Sequence, residues 1–204
     1  MTNKTFFVCS YGGSGSKMLC NALSKYGDVK HVHSRNPPDK LEYVYQNWID
    51  GVALPNEETK SKHLEWFSGV AVPIDEIKNY YIIYIYRNPS FSIPSRFINP
   101  DHLFNIQCNP NVKFENVLKT GNDLYKIKEF HYNYTKPNSN RNYKIYCVKY
   151  EDIFDKQDEL SDVLGVGKLN LINTSERKNS HKELDIIYAD IINEMENNDF
   201  IIIN

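Results

Sequence analysis

Two short stretches carry the residue types that chemistry needs. The first is Ser10-Tyr11-Gly12-Gly13-Ser14-Gly15-Ser16-Lys17, which follows a β-favouring run and opens an apolar-periodic segment. Glycines let a backbone turn tightly and aim successive N–H groups inward. A helix that begins there adds its unpaired amides and the positive end of its dipole. Gly12, Gly13, Ser14, Gly15, Ser16 and Lys17 are therefore the expected cradle for an oxyanion, with the Ser14 and Ser16 hydroxyls as further donors. The plain alternative is a glycine-rich strand–helix turn; a strand, small-residue loop and amphipathic helix in this order favour the anion site. A nucleoside-triphosphate loop would follow its last glycine directly with lysine and then a magnesium-binding hydroxyl. Here Ser16 separates Gly15 from Lys17, and Met18 comes next.

The second stretch is Arg87-Asn88-Pro89-Ser90-Phe91-Ser92-Ile93-Pro94-Ser95, directly after the most apolar run of the chain, Tyr80 to Tyr86. A guanidinium fork at a strand end and a hydroxyl on the next helix suit a phosphate gripped from two sides. That run leads into Arg87 rather than into a carboxylate, which argues against a magnesium-dependent phosphoryl transferase. Asp152 keeps such a kinase open as an alternative.

Of the six histidines, His31 and His33 sit at period two on a strand-like segment and share a face. His33 lies nearer the carboxyl end, is followed by Ser34-Arg35, and is the first candidate for a general base. His102 ranks second, as a base or substrate contact, and His63 with Glu65 third. His131 and His181 read as helix-surface residues.

The elements that must position these residues follow from hydrophobic periodicity. Strands are expected at Thr5 to Ser10, Val29 to His33, Tyr80 to Tyr86 and Tyr143 to Lys149, with a short one at Val70 to Val72. Helices are expected after Lys17, from Asp39 through Trp48, from Ser90 into Phe97, and across Phe114 to Tyr134 and Lys182 to Glu196. Pro94 is placed near the first turn of its helix. Strands alternating with helices give an α/β fold, a three-layer sandwich with a central parallel sheet flanked by helices. In such sheets ligands bind beyond the carboxyl ends of the strands, which is where both stretches and His33 fall.

The two stretches resemble the nucleotide signatures of the sulfotransferases that use 3′-phosphoadenosine-5′-phosphosulfate (PAPS), a family with a P-loop-like fold. In that family a strand–loop–helix binds the 5′-phosphosulfate, matched here by Gly13 to Lys17. A strand ending in R-N-P, with a serine eight residues after the arginine, binds the 3′-phosphate; Arg87 and Ser95 match it. Val148 to Ile153, V-K-Y-E-D-I, is similar to a third family stretch and would put Tyr150 near the adenine. Ser175-Glu176-Arg177-Lys178 resembles the basic segment that closes over the 3′-phosphate. The resemblance implies sulfuryl transfer from PAPS to a hydroxyl or amine, giving PAP, with no metal required and a histidine or glutamate as base. One departure stands out: Gly13 occupies the position of the family's usual basic residue. Lys17 is the obvious substitute and Arg177 or Lys178 a compensating one. A nucleotide-binding module without turnover stays open on that ground.

Bulk properties bound the remainder. The 204 residues suit a single domain spanning 1–204, and 41% apolar residues with fifteen tyrosines and ten phenylalanines supply a core. A formal charge of −2 gives no global attraction to nucleic acid or an anionic membrane, so any anion site is local. The cysteines show no C-x-x-C pairing and read as reduced thiols. With no apolar leader before the first strand and no tract long enough to span a bilayer, a soluble cytoplasmic protein is expected. The acceptor is expected to be a small molecule or a short glycan or peptide, contacted by Arg35 and His102 and enclosed by loops 50–68 and 99–112. Trp48, Trp66, Phe67 and Phe104 are candidate linings.

Overall fold

In a computed structural model, which describes residues 4–41, 74–97, 106, 108–109, 111–174 and 181–204, the described elements are built on one five-stranded sheet. The strands are β1 (Lys4–Cys9), β2 (Gly27–Val32), β3 (Tyr80–Tyr86), β4 (Ile145–Lys149) and β5 (Ile201–Ile203), in the order β2-β1-β3-β4-β5. The first four are mutually parallel, and β5 joins β4 antiparallel. The described helices are α1 (Ser16–Leu23), α2 (Pro89–Phe97), α3 (Phe114–Thr120), α4 (Ile127–Thr135), α5 (Gln157–Leu164), α6 (Lys182–Ile187) and α7 (Ala189–Asn197).

Side chains alternate along each strand, and that alternation sorts them into two cores. Phe7, Cys9, Ile82, Tyr84, Ile145 and Cys147 face one cluster, filled from α4 by Phe130 and Tyr134 and from α7 by Ile191. Phe6, Val8, Ile83, Ile85 and Val148 face the other, filled from α1 by Leu19 and Leu23 and from α5 by Leu160 and Leu164. Ile82 through Tyr86 are all buried, as a central strand covered on both faces requires. Helices therefore flank both faces of the sheet, in three layers.

Several elements differ from the sequence expectation. The expected helix over Phe114 to Tyr134 is two helices, because Gly121 and Lys126 both take positive φ, 66° and 57°. The expected helix over Lys182 to Glu196 is also two, broken where Tyr188 leaves helical geometry at φ −110°. β2 begins at Gly27 rather than at the expected Val29, since β1 pairs with it from Lys4 onward. Pro94 lies well inside α2, not in its first turn. His131 is wholly buried against β3, not on a helix surface. α5 and β5 escaped the sequence reading altogether. The expected elements at 42–48 and 70–72 lie outside the described residues.

Among the described residues Cys9, Cys20, Cys108 and Cys147 form no disulfide with one another. No helix of the described residues is long and apolar enough to cross a membrane.

Because β1 to β4 are parallel, Ser10, His33, Arg87 and Tyr150 all emerge at one edge of the sheet. The chain moves outward from β1 to β2 on one side and from β3 to β4 on the other. The crevice of such a sheet lies where that order reverses, between the loops after β1 and β3.

Candidate functional site: a glycine-loop cleft at the strand ends

A cleft of about 320 Å³ sits at that reversal. Gly12, Gly13, Gly15, Ser16 and Lys17 form its floor; His31 and His33 line it from β2, Arg87 from β3 and Tyr150 from β4. Residues as far apart in sequence as Gly12 and Tyr150 thus share one concavity.

Backbone geometry explains the glycines. Gly13 and Gly15 have φ of 69° and 76°, the left-handed region that side chains disfavour. A Cβ at Gly13 would fall on the Ser95 hydroxyl and lie 3.1 Å from both Cα and O of Ser92. A Cβ at Gly15 would lie 2.5 Å from the Tyr150 ring. The loop is therefore clamped between α2 and Tyr150, and no side chain, basic or otherwise, fits at position 13 without displacing α2.

The departure at Gly13 is thus a packing requirement of this chain. Positive charge reaches the cleft instead from Lys17, exposed on the first turn of α1, and from Arg87. α1 has Gly15 as its N-cap and no acidic residue in its first turn. Its leading amides, which have no intrahelical acceptor, face the same space.

Arg87 is held by three groups. Its Nη1 donates to the Gly13 carbonyl at 3.2 Å, and its guanidinium lies over the rings of Tyr150, at 4.4 Å, and Phe91, at 4.9 Å. These ring contacts and the bond to Gly13 fix the position of the guanidinium at the cleft. Ser95 Oγ donates to the Ser92 carbonyl at 2.8 Å and packs against Gly13, so its hydroxyl proton is spent inside α2. Ser14 is buried and donates to the Gly12 carbonyl at 3.2 Å. It braces the loop rather than offering a donor to the cleft.

The serines and histidines are joined. Ser10, buried at the end of β1, donates from Oγ to Ser16 Oγ at 2.9 Å, and Ser16 Oγ lies 2.8 Å from His31 Nε2. His33 Nδ1 is 2.8 Å from the Ser10 carbonyl and 3.3 Å from Ser10 Oγ. A carbonyl only accepts, so Nδ1 carries the proton and a neutral His33 has its lone pair at Nε2. The two imidazoles stand edge to face with centroids 4.3 Å apart, as period two on one strand predicts.

Other expected site residues are not brought together. Arg35 Nε pairs with Glu129 Oε1 at 3.3 Å, which ties the chain after β2 to α4 and away from the cleft. The carboxylate of Asp152 is shared between Lys149, at 3.5 Å, and Lys156, at 3.4 Å. Asp152 lines a different cavity, with Asn88, Phe91, Lys149 and Glu151, rather than the glycine-loop cleft. His63, Glu65, Trp48, Trp66, Phe67, His102, Phe104, Arg177 and Lys178 lie outside the described residues.

Sequence reading placed Ser10 and His31 without giving them a role, and missed Phe154 and the segment Ile172-Asn173-Thr174; all take part in the cleft or its support. Ser10 had a signal, a lone polar residue closing a buried strand. The segment had none, since it is irregular polar chain brought in by tertiary packing. No protein-family model matches the chain, and no curated protein matches it either, so the geometry of this cleft carries the functional argument alone.

Proposed function

We propose that the protein is a PAPS-dependent sulfotransferase, moving a sulfuryl group from PAPS to a hydroxyl or amine acceptor. One observation carries this reading: the glycine loop, Arg87 and Tyr150, separate in sequence, line a single cleft at the sheet's switch point. In this reading the loop amides, Ser16 and Lys17 hold the 5′-phosphosulfate. Arg87 takes the 3′-phosphate and Tyr150 lies beside the adenine.

The bond between sulfur and the 5′-phosphate oxygen breaks, and that oxygen leaves with the electron pair on PAP. The acceptor oxygen or nitrogen forms the new bond to sulfur, and its proton goes to His33 Nε2. Positioning and charge stabilisation on the departing phosphate supply the rate, by analogy with phosphoryl transfer. The bond from His33 Nδ1 to the Ser10 carbonyl holds the ring in the tautomer a base needs. No metal has a role in this scheme. The acceptor, a small molecule or short glycan or peptide, enters on the side of His33.

Gly13 favours a second reading, a module that binds PAP without turnover, because the charge that would sit on the leaving phosphate is missing from that position. Transfer of labelled sulfate from PAPS to a panel of hydroxyl and amine acceptors separates the two. Labelled product supports the transferase; PAP binding with no product from any acceptor supports the module.

A further inference from the structure

The hydrogen bond between His31 and Ser16 has no part in the scheme above, and it lies at the foot of the glycine loop. Ser16 has one hydroxyl proton. Its Oγ already accepts from Ser10 Oγ and is 2.8 Å from His31 Nε2. When Nε2 is a lone pair, Ser16 gives its proton to His31 and has none for a ligand in the loop. When Nε2 carries a proton, His31 donates to Ser16 and the hydroxyl proton of Ser16 is released for the ligand.

A proton on Nε2 comes with the neutral Nε2–H tautomer or with the cationic ring, and charge in the cleft decides whether the ring is cationic. Lys17 and Arg87 line the same cleft, and no carboxylate does so among the described residues. Without an anion these cations oppose a third positive charge, while Glu151, behind the cleft, interacts with Arg87 and accepts from the Asn88 N–H at 2.9 Å. On β2 itself, Lys30 and Asp28 pair with each other at 3.0 Å. On α1, burial pushes the Cys20 thiol up to about 12, which leaves it neutral. On β1 no charged side chain lies near the loop end; Lys4, at the other end, is bonded to the carbonyls of Leu164 and Gly165. Among the described residues, His33 and Tyr150 are the other titratable groups that line the cleft with His31, Lys17 and Arg87. A phosphate-type dianion in the loop would reverse the field, because an opposite charge nearby favours the charged form of a histidine.

Resting on the assignment of the loop as an anion site, we infer that His31 takes up a proton when a phosphate-type ligand binds. Through Ser16 it supplies to the loop a positive charge and a hydrogen-bond donor that Gly13 cannot. The site gains this cation with its ligand instead of carrying it permanently. His31 is a positioning residue in this role, acting on the ligand through the Ser16 hydroxyl.

The test is isothermal titration of PAP into the whole chain at pH 7.5, in buffers of differing ionisation enthalpy, which counts the protons moved. At that pH the ligand's phosphates, with a second pKa of about 6, could only release protons to a cationic site, so uptake belongs to the protein. Uptake of about half to one proton per PAP is expected for the unaltered chain. H31Q keeps a hydrogen bond to Ser16 but cannot titrate. It should still bind PAP, more weakly, with the uptake largely gone; H31N should behave alike, and H33N should retain the uptake.

Absence of uptake, or equal uptake in H31Q, would overturn the role of His31 while leaving the PAP site intact. The same titration with inorganic pyrophosphate covers the other failure. Pyrophosphate binding with His31-dependent uptake, and no PAP binding, removes the nucleotide reading and keeps the inference. If neither ligand binds, both fall.

Discussion

Replacing Gly13 by alanine tests the packing argument on which the missing charge depends. Three costs can be worked out. Holding a non-glycine residue at φ 69° costs about 1–2 kcal/mol. The new Cβ also displaces the Ser95 hydroxyl, whose bond to the Ser92 carbonyl at 2.8 Å is worth about 0.5–1.5 kcal/mol. The contacts at 3.1 Å to the Ser92 backbone require a further small shift of α2. Gly13→Ala should therefore destabilise by about 2–3 kcal/mol, and for a chain of this length that lowers Tm by about 4–12 °C. Ser95→Ala alone should lose about 1 kcal/mol, the same hydrogen bond. The double variant loses that bond only once, so urea unfolding of the four proteins should give a coupling of about 1 kcal/mol in the relieving direction. A Gly13→Ala cost below about 0.5 kcal/mol, or strictly additive effects, would refute the claim that α2 closes position 13 to side chains.

Other perturbations reach different parts of the account. Arg87→Ala removes a guanidinium positioned by Tyr150, Phe91 and Gly13 and should weaken PAP binding about 10- to 150-fold by calorimetry, the range for losing a charged hydrogen-bonding group. His33→Ala should leave PAP affinity within about threefold of the unaltered chain and abolish transfer; full activity would remove His33 as the base. Burial lowers the pKa of His131 to about 3, against an ordinary value of 6.5. The unfolded chain therefore takes up a proton as pH falls below about 6.5 while the folded one does not, so stability is lost between pH 6.5 and 3 and is unaffected above. His131→Phe should reduce the fall in unfolding free energy between pH 7 and 4 by about 3 kcal/mol, at about 1.4 kcal/mol per pH unit, in chemical denaturation. An unchanged slope would mean that His131 is not held neutral.

Much of the site was legible because it lies where local pattern and fold rule agree. The glycine loop, Arg87 and Tyr150 each close a strand whose apolar run is plain in the sequence, and parallel strands bring such ends to one edge. The shared face of His31 and His33 followed from strand periodicity alone. What stayed hidden depends on side chains meeting across the fold. Ser14 and Ser95 read as donors to a ligand, yet their protons go to carbonyls that only the folded loop and helix bring near. Arg35 read as a substrate contact until α4 supplied Glu129. His131 read as a surface residue because its polar neighbours mask a site packed edge-on against Tyr86. Breaks within the expected long helices hid for a different reason. Lys126 and Tyr188 are ordinary helix formers that tertiary packing puts into non-helical backbone.

The central claim, that this cleft is a PAP site, is met most directly by unfolding the chain in rising concentrations of PAP and, separately, of ATP with magnesium. The account predicts a Tm that climbs with PAP, corresponding to about 2.7 kcal/mol at a hundredfold excess over Kd. It predicts a much smaller response to ATP with magnesium and loss of the PAP effect in Arg87→Ala. A folded protein whose Tm ignores PAP but rises with magnesium and ATP would contradict it.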